Sequence, residues 1–435
     1  MNTEQLLVEV SEGIRLLITA SPLLLLVELP LTALLLLGVL RWWIRLQDQR
    51  PYHCDPIPRV SCVITCYSEG PDVARTLLSL CEQTYAGEIE LLPVVDGAAV
   101  NTSTLEAVRN FRIDPQLYPR RTVKPIAKWQ RGGRVSSLNA GLAMSTGEIV
   151  MALDGDTSFD NTMVTLMVRQ FNDPCVVAVA GNLRVRNAWQ SLVTALQAVE
   201  YQLSIGMARI GLSEWNVINN ISGAFGAFRR KILIQIGGWD SHTSEDLDIT
   251  LRLKSYIGRH PNLRITFEPR AIGHTDVPAT VPQFLRQRLR WDGDLLFLYA
   301  RKHRASLSPQ LMGWPNFVMA IIYGLFAQVV LPFVIVIHSY ALTTRYPWPA
   351  LCKLAISIYA VYLLLLTLQF IITLILCSER PGHDSRLMLL LPVFPIAMFA
   401  IRCWSAVAML NEWWRRGHEE SSMAPWWVIR RANRF

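Results

Sequence analysis

The sequence predicts an α/β domain built on a mostly parallel sheet and combined with α-helical transmembrane segments. Three observations predict it. Between residues 55 and 280, apolar strand-like runs alternate with windows of helical periodicity, the pattern of βαβ units with helices on both faces of a sheet. Uncharged stretches of spanning length lie on both sides of that region. Hydrophobic residues make up 51% and charged residues only 17% of the 435 positions, too apolar a balance for an ordinary soluble protein.

Residues 1–50 come first. Glu4, Glu9, Glu12 and Arg15 among leucines predict a short amphipathic helix over 1–21. From Pro22 to Leu40 only Glu28 is charged, and Arg41, Arg45 and Arg50 follow. That segment predicts a membrane-crossing helix with residue 41 onward in the cytoplasm. It has no basic leader and no small-residue cleavage site, so a cleaved signal peptide is the weaker reading.

Residues 51–280 form the expected cytosolic domain. Arg59–Cys66, Glu90–Val95 and Glu148–Leu153 read as strands, and Asp72–Gln83 and Ser136–Met144 as helices. Residues 281–304 read as an amphipathic helix at the membrane surface. A membrane region over 305–411 holds three uncharged or nearly uncharged stretches, Ala305–Thr344, Leu354–Cys377 and Leu387–Leu410. The last is interrupted by Pro392, Pro395 and Arg402. Three crossings would leave the tail, 412–435, with Arg415, Arg416, Arg430, Arg431 and Arg434, outside, against the positive-inside rule. A re-entrant or doubled segment would resolve the conflict; an exceptional tail is the other solution.

The net charge of +8 gathers near the apolar segments rather than in one block, so membrane topology accounts for it and nucleic acid is not an expected partner. The eight cysteines are scattered without a CxxC pair. They read as thiols in a reducing compartment, not as a disulfide framework or a zinc site.

The strand Glu148–Leu153 delivers Asp154-Gly155-Asp156 to its end. Paired carboxylates repel and resist desolvation, a cost that a hard divalent cation such as Mg²⁺ relieves. Asp-Gly is equally a turn signal. Tyr67 and Glu69 follow the first strand, and Asp96-Gly97 follows the second; ligands of such sheets bind at these carboxyl ends. Lys128-Trp129-Gln130-Arg131-Gly132-Gly133-Arg134 is a cationic, glycine-bearing loop ahead of a helix, suited to phosphate. Ser244-Glu245-Asp246 opens a helical run, where a serine followed by acids reads either as an N-terminal cap or, with one carboxylate turned into a cleft, as a general base. Gln287-Arg288-Leu289-Arg290-Trp291 pairs a phosphate-clamping arginine with a tryptophan able to stack on a sugar.

In that order, Asp96, Asp154-x-Asp156, Ser244-Glu245-Asp246 and Gln287-x-x-Arg290-Trp291 resemble the D, DxD, T/GED and QxxRW signature of membrane-embedded, processive family 2 glycosyltransferases, the synthases of hyaluronan, chitin, cellulose and poly-N-acetylglucosamine. The resemblance covers residues 59–291. It implies a Rossmann-like GT-A domain with Asp154 and Asp156 at a Mg²⁺ or Mn²⁺ ion. It also implies Tyr67, Glu69, Asp96, Arg134, Asp154, Gln287 and Arg290 around a UDP-sugar donor. Asp246, with Glu245 beside it, would be catalytic, and Trp291, Ser222 and Gly223 would hold the acceptor. The sequence departs from the pattern at Arg134, where relatives commonly carry Lys, at Ser244, where they carry Thr or Gly, and at the single Asp96 before Gly97.

The expectation is an inverting, metal-dependent polysaccharide synthase of the plasma or inner membrane, with its catalytic domain facing the cytoplasm. UDP-N-acetylglucosamine is the favoured donor and a growing β-linked polysaccharide the acceptor. The lipid bilayer and an accessory membrane subunit are the further partners. Two rivals are a non-processive transferase acting on a lipid and a nucleotide-sugar-binding receptor or scaffold without turnover.

Overall fold

A computed structural model describes residues 22–47, 57–416, 424, 425 and 428. The amphipathic helix expected over 1–21 and most of the tail lie outside the described residues.

The centre is a nine-stranded sheet. β1 (Val60–Cys66), β2 (Ile89–Asp96) and β5 (Ile149–Asp154) run parallel, in the order β2-β1-β5. The short β3 (Arg121–Val123) and β4 (Ile126–Lys128) both add in parallel to β2. Every position of β1 and β2 is buried, as expected for strands covered on both faces. Side chains divide with a period of two. Cys62 and Ile64 pack with Val73, Leu77 and Leu80 of the helix Val73–Cys81. Val63 packs on the other face with Val135, Leu138 and Leu142 of the helix Gly133–Met144.

β8 (Phe225–Arg229) departs from the parallel pattern. It runs antiparallel to both β5 and β7 (Val176–Val185), while β9 (Arg264–Thr275) resumes parallel pairing with β7 and the two-residue β6 (Ser158–Phe159) closes antiparallel on β9. The sheet is mixed but mostly parallel. Because β8 is reversed, Phe225 at its start pairs with Leu153 at the end of β5. The segment before β8 therefore arrives beside Asp154.

Among the described residues, four helices are long and apolar enough to cross a membrane: Leu24–Gln47, Trp314–Arg345, Trp348–Cys377 and Phe394–Arg415. Their positions follow the expected stretches. The first crosses the helix Ala208–Glu214 at two glycines. A Cβ on Gly38 would stand 2.7 Å from the Gly211 Cα, and one on Gly211 2.5 Å from the Leu35 carbonyl oxygen. Only hydrogen side chains allow that approach. Trp215 Nε1 adds a hydrogen bond to the Leu34 carbonyl at 3.0 Å, so the membrane helix is seated on the sheet domain. The helix Val281–Phe297 continues through Leu298–Lys302 and leads towards the hairpin of the second and third apolar helices.

Candidate active site

The parallel strands end on one edge of the sheet, and the chain turns there in tight loops. β1 is in register with β5, Thr65 facing Asp154. Thr65 Oγ1 donates to Asp154 Oδ1 at 3.2 Å, and the Gly155 amide donates to the Thr65 carbonyl at 3.0 Å. Ser68 takes a left-handed φ of 71°, which swings Glu69 back over the end of β5. A Cβ on Gly155 would lie 3.3 Å from the Glu69 carboxyl carbon, so this glycine makes room for the acid.

Glu69, Asp154 and Asp156 therefore crowd one corner. Burial, with the charges of Asp156 and Asp154 adding to it, pushes the Glu69 carboxyl up to about 7. Burial and the Asp154 charge also raise Asp156. Oε2 of Glu69 is buried with no hydrogen-bond partner among the described residues. Asp154 has a cationic partner, Arg134; Asp156 accepts from the neighbouring Thr157 hydroxyl at 3.2 Å. These oxygens suit a hard divalent cation. The described residues hold no cluster of three or more ligands in metal-binding geometry, so a cation here would complete its shell with substrate phosphate and water, as Mg²⁺ commonly does.

Asp96, 4% exposed, is turned into the cationic loop. Its Oδ1 accepts from Lys128 Nζ at 2.7 Å and from the Gly132 amide at 2.9 Å, and its Oδ2 accepts from the Gly133 amide at 2.8 Å. An acid at these amides also complements the N-terminus of the helix Gly133–Met144. The same loop lays the Arg131 guanidinium over the Tyr67 ring, 4.2 Å from its centroid. Asp96 thus shapes the loop at this end of the cleft.

Arg134 is the hub. Its guanidinium donates to Asp154, to Thr65 Oγ1 at 3.0 Å, to the Gly223 carbonyl at 2.7 Å and to Glu245. Opposite charges on both sides hold it firmly protonated in spite of burial. Burial raises Glu245 while the Arg134 charge opposes the shift.

On the far wall, Asp246 opens the helix Glu245–Arg259. Its Oδ2 accepts from Asn220 Nδ2 at 3.0 Å and from the Gly223 amide at 3.3 Å; its Oδ1 accepts from the Leu247 amide at 2.8 Å. Ser222 accepts the Phe225 amide through its carbonyl at 3.1 Å, forming the turn into β8. The expected serine cap is not made. Ser244 sits at φ 40° with no side-chain capping bond, and its Oγ instead donates to Asp294 at 3.4 Å. Asp294 lies one heptad after Gln287, on the same helix face. That contact ties the helix face shared by Gln287, Arg290 and Trp291 to the residue just ahead of the helix Glu245–Arg259. Gln287 Oε1 is buried and unpartnered among the described residues, a free acceptor beside the cleft. Trp291 rests partly buried against the sheet core.

Several contributors were not singled out from sequence. Thr65, Asn220 and Lys128 each bond a predicted site residue. Arg288, which bonds Glu200 at 2.5 Å and places its guanidinium 5.0 Å from the Trp291 ring centroid, supports the tryptophan from behind. Lys128 and Arg288 stood inside quoted motifs without a role of their own; Thr65 and Asn220 carry no local signal.

The sequence profile described as glycosyltransferase like family 2 matches residues 58–293. A poly-beta-1,6-N-acetyl-D-glucosamine synthase of Staphylococcus epidermidis is 31% identical over 234 residues, 53% of this chain and 53% of that protein. Its counterpart in Staphylococcus aureus is 29% identical over 246 residues, 54% of each. The chain thus spans about half the length of the curated relatives it matches. Among solved structures, a mannosyltransferase of Pyrobaculum calidifontis in complex with GDP-Man and Mn²⁺ superposes with a TM-score of 0.54 at 18% identity, covering 89% of this chain and 98% of that one. This likeness shows the GT-A fold.

Proposed function

The chain belongs to glycosyltransferase family 2, and from that premise we propose that it is an inverting, metal-dependent synthase that extends a β-linked polysaccharide from a UDP-sugar, N-acetylglucosamine by preference. The polymer would pass through its own membrane segments, with the catalytic domain on the cytoplasmic side. The observation that carries this reading is the reach of Arg134 from Asp154 to Glu245. One guanidinium sets the spacing between the carboxylates suited to a metal and the helix start that bears a base.

In this reading Tyr67, Glu69 and Asp96 frame the nucleotide. Asp154 and Asp156 would hold Mg²⁺ or Mn²⁺, which neutralises charge on the diphosphate leaving group. Gln287 and Arg290 close on that diphosphate from the helix Val281–Phe297. The acceptor sugar stacks on Trp291 beside Ser222 and Gly223. Its hydroxyl oxygen bonds to the anomeric carbon as the bond from that carbon to the diphosphate breaks. The hydroxyl proton passes to Asp246, which Asn220 and the Gly223 amide hold in place. Glu245, tied up by Arg134, acts as a positioning residue. The relatives named as poly-beta-1,6-N-acetyl-D-glucosamine synthases support the choice of sugar.

UDP release by purified, detergent-solubilised protein, offered a panel of UDP-sugars with and without Mg²⁺ or Mn²⁺, tests the proposal. Metal-dependent release with one donor, lost in Asp246→Asn, is expected, with polymer visible on a gel. A product that extracts into organic solvent with one sugar per lipid would favour a lipid transferase. UDP binding without release from any donor would favour a receptor.

A further inference from the structure

The last apolar helix, Phe394–Arg415, matches a membrane span in length and composition, yet its neighbours lie on one side. Before it, Asp384 accepts from Arg184 of β7 at 2.6 Å and from Ser378 Oγ at 2.7 Å, and Arg380 stands 3.7 Å from Asp160. Residues 378–384 therefore lie against the sheet domain. At its other end, Glu412, 1% exposed, stands 3.7 Å from Arg301. The next residue, Lys302, binds Asp240 at 2.7 Å and Asp248 at 2.8 Å, both in the sheet domain. So the first end lies against the sheet domain, and the other end meets a residue whose chain neighbour is bound to that domain.

Between those anchors the chain goes in and comes back. From Asp384 it rises through a single 3-10 helix, Ser385–Leu390, which at about 2 Å per residue climbs on the order of 12 Å, well short of a hydrocarbon core of roughly 30 Å. Pro392 marks the deep point. Its carbonyl accepts from Tyr359 Oη at 2.9 Å, partway along the helix Trp348–Cys377. The return leg is laid along the helix Val281–Phe297. Trp404 Nε1 donates to the Leu285 carbonyl at 3.0 Å, Ser405 Oγ donates to Asp292 at 2.7 Å, and a Cβ on Gly293 would lie 3.4 Å from the Glu412 Cβ.

The outer face agrees. Ile396, Phe399, Val407, Leu410 and Trp414 are exposed at helical spacing, a lipid-facing stripe opposite the packed Ser405, Ala408, Met409 and Glu412. It ends in Trp413-Trp414-Arg415-Arg416, the aromatic and basic residues of a headgroup boundary, at the end anchored to Arg301.

We propose that residues 385–415 form a re-entrant segment that enters the bilayer from the side of the catalytic domain, turns at Pro392 and returns to that side without crossing. The described residues then cross three times, through Leu24–Gln47, Trp314–Arg345 and Trp348–Cys377, and Arg415 and Arg416 obey the positive-inside rule. The inference is independent of which sugar is transferred.

Labelling with a membrane-impermeant maleimide in sealed vesicles of both orientations tests it, scored above the background of the unsubstituted chain. Met144→Cys marks the catalytic domain, Arg345→Cys the tip of the hairpin, and Arg416→Cys the end of the last helix. Positions 144 and 416 should label in the same vesicles, and 345 in the opposite ones. Labelling of 416 together with 345 would overturn the proposal. Should Arg416→Cys fail to accumulate, a fluorescent protein joined after Phe435 gives the same readout by protease protection. Digestion in the vesicles that expose residue 144 supports the re-entrant path, and digestion in the others refutes it.

Discussion

Arg134 Nε donates to Glu245 Oε1 across 111 positions of chain, and this ion pair joins the helix Gly133–Met144 to the helix that bears Asp246. Both partners are largely buried, with side-chain exposures of 12% and 8%. Removing one partner of such a pair strands the other. Arg134→Met should destabilise the protein by about 3–5 kcal/mol, read as a lowered unfolding midpoint in detergent. Turnover should fall further than Arg134→Lys lowers it, because Lys keeps the charge but cannot serve four acceptors at once.

Glu69 gives a pH prediction. Its carboxyl is raised from 4.5 to about 7, by burial first and by the Asp156 and Asp154 charges next. The folded state favours the protonated acid, so this group's contribution to stability is lost as pH rises through that window. If Asp154 and Asp156 hold the proposed metal, a negative charge on Glu69 beside them favours the cation, so apparent Mg²⁺ or Mn²⁺ affinity should rise from pH 5.5 to 7 and level off above it. Metal activation curves measured across that range should show the slope, and Glu69→Gln should flatten it.

Gly223 tests the wall proposed to hold the acceptor. An added Cβ would lie 2.9 Å from Glu245 Oε1, which Arg134 pins, and 3.5 Å from the Asp246 Cβ. Gly223→Ala should cost about 1–3 kcal/mol of stability through overpacking. Its larger effect should be on kcat, lower on the order of 10²-fold through displacement of the base, with UDP affinity retained. Steady-state kinetics beside a UDP titration separates the two.

Lys254 is fully buried on the helix Glu245–Arg259, and its Nζ has no hydrogen-bond partner among the described residues. Burial brings its amine down from 10.5 to about 7. The folded state favours the neutral amine, so stability should rise as pH climbs through 7 towards 10.5. Lys254→Met should raise the Tm at pH 7, by an effect on the order of a few kcal/mol, and the gain should shrink by pH 9.5. Thermal unfolding at the two pH values checks both parts.

The carboxyl ends of β1, β2 and β5 were legible because fully buried strands read as unbroken apolar runs, and the acids that stop them stand out. The reversal of β8 was not. Phe-Gly-Ala-Phe-Arg has the same periodicity in either direction, and only pairing with β5 and β7 sets its sense. Arg134 read as a phosphate-binding cation, since nothing local announces a partner as distant as Glu245. Ser244 misled in the opposite way. A serine ahead of acids predicts a side-chain cap, but its left-handed backbone turns the hydroxyl to Asp294, a tertiary contact that outweighs the local preference.

The reversed β8 also bears on how the molecule is made. Its place between β5 and β7 requires residues 149–154 to wait for residues 225–229 before the sheet closes. Gly223 and Asp246 come to Asp154 only after that closure. Contacts of such long chain separation form late, since the loop entropy must be overcome before they contribute. The chain consequently has no complete cleft until residues 225–246 have been made and paired, and transfer chemistry begins only once that part of the domain is whole.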